Sequence, residues 1–331
     1  MISDGNGGYV ESNEGFPTEG YEFNSELSGC IDLNGNKVDS TLSYSDGLVS
    51  ISSNKTSYCY VYFDEIPPVP VAQYLLENPT SGLNTTMEGG LYRFQGTSAN
   101  NYICFGTSDK LTCTGNTDAY MYRIIGINSS GQLKLIKKEA LNSTMKWWND
   151  YTTDTPWPDS TIKSNINGSS FLSNTTYVPS GWSDKIATTS WKYGDNTTDN
   201  TTAANLYTTE NGWTTTTSAK IGLMYAHDYY YGINGGNNCS SGGAYSTCAT
   251  SWIYLWNSGN DSSASNATNE WTMTRYGNEG GYYCAWYVHS LGNVHGMSFN
   301  GSNAVRPVFF LTSNVEYISG TGTLADPIII S

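Results

Sequence analysis

The chain has 331 residues and a formal net charge of −14, with 15 Lys+Arg against 29 Asp+Glu. Charged residues make up 13%, about half the usual share in soluble domains, so Ser, Thr, Asn, Gly and Tyr must keep the surface wetted. No basic cluster offers counter-charge to a nucleic-acid backbone, and the longest apolar runs, such as 305–311, fall far short of the roughly 20 residues that span a bilayer.

Residues 1–16 are polar and glycine-rich, yet are expected to dock on their own domain or on a neighbouring copy. Residues 17–66 read as a small all-β (Ig-like) sandwich. Asn34-Gly35 and Asp46-Gly47 each separate two short runs, the pattern of tight hairpins. In SYCYVYF, residues 57–63, Cys59, Val61 and Phe63 share one face while Tyr58, Tyr60 and Tyr62 share the other. Residues 67–89 read as a proline-rich linker, stiffened by Pro67, Pro68 and Pro70, followed by a short helix in AQYLLEN that ends before Pro79.

The second domain is expected over 90–331. LYRFQG, NYICFGT, AYMYRIIGIN and QLKLIKKE read as strands, the last two joined by a turn at 128–131. Ser160 is placed to cap a helix with Ile162 and Ile166 inward. KIGLMYAHDYYYG reads as a buried strand running into a turn or short helix. The Thr/Asn/Ser/Gly-rich stretches near 195–217 and 234–269 read as long surface loops, and such loops on a compact sheet commonly carry binding. EWTMTRY, YYCAWYVHS, VHGMSF, AVRPVFFL and VEYIS complete a β-rich finish.

Seven cysteines lack the CxxC spacing of zinc and redox sites. Three local disulfides are expected, Cys30–Cys59, Cys104–Cys113 and Cys239–Cys248, with Cys284 left over; the pairing implies an oxidising, extracellular setting. Twelve sequons, at Asn54, Asn84, Asn128, Asn142, Asn167, Asn174, Asn196, Asn200, Asn238, Asn260, Asn266 and Asn300, are glycosylation candidates in a host with the machinery, although a chain so rich in Asn, Ser and Thr forms many by chance.

The ordered series YRIIGI, KIGLMY, EWT, a glycine-containing hairpin at Gly292, VRPVF and a closing GTGT…DP resembles surface-protein modules of Gram-positive bacteria. More distantly it resembles the C-type-lectin-like fold of formylglycine-generating enzymes. The likeness covers roughly 90–331, and the YCYVYF domain is similar to the companion domain of such modules. The resemblance implies an α+β, C-type-lectin-like domain rich in long loops, preceded by the small sandwich.

Formylglycine-generating enzymes use two cysteines as a copper-binding pair. Here Cys284 is followed five residues on by His289 rather than a second thiol, and bis-thiolate ligation is what selects Cu(I). His289 and His295 flank the turn at 291–293, but no acidic ligand accompanies them, so no metal or other cofactor is expected. Trp148-Asn149-Asp150 repeats the letters of a lectin calcium motif without its usual place or partner motif. Tyr229, Tyr230, Tyr231, Tyr282, Trp286 and Tyr287, with the two histidines, are the binding candidates, since aromatic faces stack on sugars or anchor proteins. Arg306, set among apolar residues, requires a partner, and Glu270 is the expected one.

No nucleophile elbow, phosphate loop or paired-carboxylate motif is present. The expected function is that of an extracellular surface protein binding a glycan or protein, or alternatively a structural subunit assembling with copies of itself. A formylglycine-generating-like oxidoreductase is the third reading.

Overall fold

The computed structural model describes residues 1–3, 6–11, 15–17, 20–45, 47–197, 202–233, 255, 269–290, 292 and 294–331. It is mostly sheet, with 41% strand and 16% helix, and divides into two compact units, Met1–Val69 and Pro70–Ser331.

In the smaller unit, strand Tyr21–Asp32 pairs antiparallel with Ser57–Glu65, and the register sets Cys30 directly opposite Cys59. A disulfide joins them. The turn to Lys37–Val38 uses Gly35 at φ 82°, a left-handed conformation glycine adopts without penalty. A separate hairpin, Ser40–Ser45 with Leu48–Ser53, lays Tyr44 edge-on to Phe63, ring centroids 5.0 Å apart. Phe23 and Phe16 pack on the same ring. The N-terminal segment docks on its own unit, one of the two placements expected of it. Ile2–Ser3 lies parallel to Ser57–Glu65, Tyr9–Val10 pairs outside it, and Phe16 packs on Phe63, so the described residues of this segment join the unit.

The larger unit begins earlier than residue 90. Helix Val71–Glu77 buries Val71, Ala72 and Leu75. Strand Leu83–Glu88 is the edge of a six-stranded sheet, where a linker was expected. It turns through Gly89-Gly90, both at positive φ, the signature of a two-residue hairpin, into Leu91–Phe94. Met121–Asn128 follows, flanked on one side by Tyr102–Cys104, then Leu133–Lys137 and Val308–Phe310. Seven of the eight residues in MYRIIGIN are buried, as befits a central strand covered on both faces. The disulfide Cys104–Cys113 fastens this sheet to helix Lys110–Gly115. Ser160 caps helix Thr161–Ile166 by accepting from the Lys163 N–H at 3.1 Å, with Ile162 and Ile166 inward. A meander of Glu270–Glu279, Tyr282–Val288 and Val294–Ser298 forms a separate three-stranded sheet, and its Trp271 joins Trp147, Trp157 and Phe299 in an aromatic cluster.

Two further expectations are corrected. The described part of 195–217 is largely regular: Thr202 caps helix Ala203–Gly212, whose Ala203, Leu206 and Glu210 face inward, and Thr189–Lys192 pairs with Thr216–Ala219. Arg306 precedes strand Val308–Phe310 rather than lying within it. The loop at 234–269 and the proposed Cys239–Cys248 bridge lie outside the described residues, apart from Leu255 and Asn269.

Candidate binding site

A cavity of about 250 Å³ opens in the larger unit, among hairpin 83–94, hairpin 189–219, helix 203–212 and the start of helix Ala226–Tyr231. That volume is below the ~300–1,000 Å³ typical of sites for drug-sized ligands, and suits one ring-sized group. Its walls include Trp191, Tyr207, Tyr225 and Phe310, with Asn128, Thr189, Ser190 and Asn211 supplying polar atoms. Local chemistry explains the shape. A Cβ on Gly222 would come within 2.9 Å of the Trp191 ring, and one on Gly90 within 2.9 Å of the Tyr207 hydroxyl. Only glycine lets backbone and ring approach so closely.

Behind these walls lies a buried ionic network. Asp228 accepts from Arg93 Nη1 at 2.9 Å, Lys134 Nζ at 2.5 Å and the Tyr225 N–H at 2.9 Å. Burial alone would push its carboxyl up. The adjacent Lys134, His227 and Arg93 outweigh burial and hold it far below the ordinary carboxylate range. Burial draws the Lys134 ammonium down from its usual value, against the opposing pull of Asp228. Arg93 is fully committed to structure: Nε donates to Glu88 O at 2.7 Å and Nη2 to Gly89 O at 2.9 Å, while Tyr231 stacks against its guanidinium, 4.6 Å from centroid to Cζ. Glu210 accepts from the Thr274 hydroxyl and faces His227 Nδ1. The ring of His227 lies flat on Tyr225, centroids 5.2 Å apart, with Nε2 3.4 Å from Asp228 Oδ1. The carboxylates hold two cations, a histidine and the Thr274 hydroxyl in place. The arrangement is that of a preorganised binding floor.

Comparison with protein-family models, characterised proteins and solved structures finds no match to this chain.

None of the residues chosen from sequence for binding lines this cavity. Tyr229 and Tyr230 are fully buried, and Tyr231 nearly so; helix Ala226–Tyr231 buries all six of its residues, which corrects their proposed surface role. Trp286 is likewise buried, its Nε1 donating to Asn196 O at 2.7 Å. Tyr287 packs edge-on to Trp271. Tyr282 is 50% exposed, beside Tyr151. His289 is half-buried beyond the end of its strand, and the backbone of His295 stands opposite Tyr287 instead; the His295 side chain is outside the described residues. Cys284 is buried, and burial pushes its thiol up, the reverse of what a thiolate ligand needs.

Arg306 Nε donates to both oxygens of Glu270, at 3.0 and 2.9 Å, and Nη2 donates to Leu255 O. Asp150 accepts from Thr152 and Thr153 in a self-contained turn. Among the sequons, Asn54 and Asn142 are exposed, and Asn84, Asn128, Asn174 and Asn300 half-buried. Asn196 is buried and Asn167 spends its amide on both backbone groups of Ile221, so neither offers a free acceptor nitrogen. Asn200, Asn238, Asn260 and Asn266 lie outside the described residues.

The charged floor left a signal in the sequence. LYRF sets Arg93, and LKLIK sets Lys134 and Lys137, among apolar strand neighbours, as Arg306 is set among its own.

Proposed function

We propose that the larger unit is a C-type-lectin-like recognition module of an extracellular protein, and that the cavity between Trp191, Tyr207, Tyr225 and Phe310 receives a single sugar ring of a glycan. The observation carrying this reading is an aromatic-walled cavity whose charged floor is held in place by buried ion pairs, so that a ligand meets rigid, oriented groups with little further ordering cost. Aromatic faces suit the C–H faces of a sugar, while Asn, Ser and Thr side chains suit its hydroxyls. Two disulfides support an oxidising compartment.

The test is a glycan array followed by titration of the best hit. Tyr207 is a partly exposed wall residue, and Tyr207→Ala should weaken binding about 5- to 30-fold, the equivalent of ~1–2 kcal/mol of lost aromatic contact. A folded wild-type protein that binds no glycan, or a Tyr207→Ala protein that binds as tightly as wild type, overturns the assignment.

A further inference from the structure

We infer that the sugar taken by this cavity carries a carboxylate, and that Lys134 is the residue that reads it; this rests on the glycan-binding reading above. The charge around the cavity reverses that of the chain. Overall, acids outnumber bases 29 to 15, yet the charged side chains lining the cavity are Arg93, Lys134, Lys192 and a single acid, Glu210. Counting Asp228 behind the wall, two carboxylates face Arg93, Lys134 and Lys192, with the His227 ring beside them, so cations outnumber acids and an anionic ligand would reduce the excess.

Lys134 is the cation with donors to spare. An ammonium has three N–H donors and no acceptor, and the acceptor that the structure places on it is Asp228 Oδ2. Its remaining surroundings are π-faces: Tyr225, Phe310 and Trp191 have ring centroids 5.0, 5.6 and 6.0 Å from Nζ. Rings stabilise a cation but satisfy N–H directionality poorly. A carboxylate entering the cavity would accept a charge-assisted hydrogen bond in an environment poor in water, where such a bond is strongest. A sugar hydroxyl could accept as well, but without charge. Arg93 has no comparable freedom, because Glu88 O, Gly89 O and Asp228 already engage it. Lys192, whose Nζ donates to Asn211 Oδ1 at 3.0 Å, stands among the cavity-lining residues as a second, more accessible cation.

The experiment is isothermal titration of the full chain with paired probes: a glucuronate-terminated disaccharide against its glucose-terminated counterpart, and sialyllactose against lactose. At least one acidic probe should bind tenfold or more tighter than its neutral partner, with the difference shrinking as NaCl rises. The two acidic arms separate a uronic from a sialic source. Lys134→Met should abolish the preference while leaving weak binding of the neutral sugar. Should Lys134→Met fail to fold, Lys192→Gln and a salt series on the wild type provide the readout: the preference should fall in both. Equal binding of acidic and neutral probes overturns the carboxylate inference and leaves the glycan reading standing. A preference that survives in Lys134→Met removes Lys134 from the assignment. Binding of none of the four probes, alongside a positive neutral hit on the array, refutes the inference alone, whereas an empty array refutes both.

Discussion

Asp228→Asn is the sharpest probe of the ionic floor. The substitution keeps shape and removes charge from a carboxylate that joins Arg93 and Lys134 deep in the protein. Removing one partner of a buried ion pair costs about 3–5 kcal/mol, a large share of the ~5–15 kcal/mol that holds a domain folded. Because two cations are stranded here, the upper end is expected. Restoring partial balance by Asp228→Asn with Lys134→Met should recover ~1–3 kcal/mol, the coupling expected of residues in contact. Urea unfolding followed by tryptophan fluorescence suits the measurement, since all ten tryptophans lie beyond residue 146 and report on the larger unit alone. Acid titration adds an independent check. The folded-state carboxyl sits below its unfolded value of about 3.9, so its stabilisation is complete above that pH and drains away as pH falls beneath it. Wild type should therefore lose stability below about pH 4 more steeply than Asp228→Asn. A single mutant within ~0.5 kcal/mol of wild type, or a double mutant as costly as the sum of its parts, would refute the network as described.

Three further outcomes are expected. Arg306→Met should cost about 3–5 kcal/mol by stranding Glu270 in the interior, and pairing it with Glu270→Leu should recover much of the loss; urea midpoints of the three proteins decide this. Loss of Cys30–Cys59, which spans 29 residues, should cost about 3–4 kcal/mol against about 2.5 for Cys104–Cys113, spanning 9, by loop entropy; differential scanning calorimetry of the two double-alanine variants compares them. Cys284 should react with a thiol reagent only on unfolding, because burial both shields it and pushes its thiol up. Rapid labelling of the native protein would contradict its placement.

Local chemistry made much of the fold legible. Alternation in SYCYVYF, the Asn-Gly turn at 34–35, the Ser160 cap and the apolar run in MYRIIGIN are all properties of a few adjacent residues, and each is found as read. The buried guanidinium of Arg306 also pointed to a nearby acid, and Glu270 does stand against it. The cavity was not legible because it depends on convergence: Gly90, Lys134, Trp191, Tyr207 and His227 come from separate elements, and nothing in their spacing says they meet. Helix Ala203–Gly212 was hidden for a related reason. Its sequence, AANLYTTENG, looks like polar loop, and tertiary packing of Leu206 and Glu210 overrides weak propensity. The tyrosine cluster at 229–231 misled because aromatic richness does not distinguish an outer face from a core, and here the helix is enclosed on every side.

The sheet that supports the cavity is closed from far along the chain. Val308–Phe310 pairs with Leu133–Lys137, and Ile328 bridges Ile103, so partners separated by more than 170 residues must find one another. Closing such distant contacts is entropically slow and leaves partly assembled sheet edges open meanwhile. On a ribosome or during translocation, this unit would have to wait for residues near 330 to emerge before its barrier to folding could be crossed, which makes its maturation dependent on whatever shields those edges in the interval.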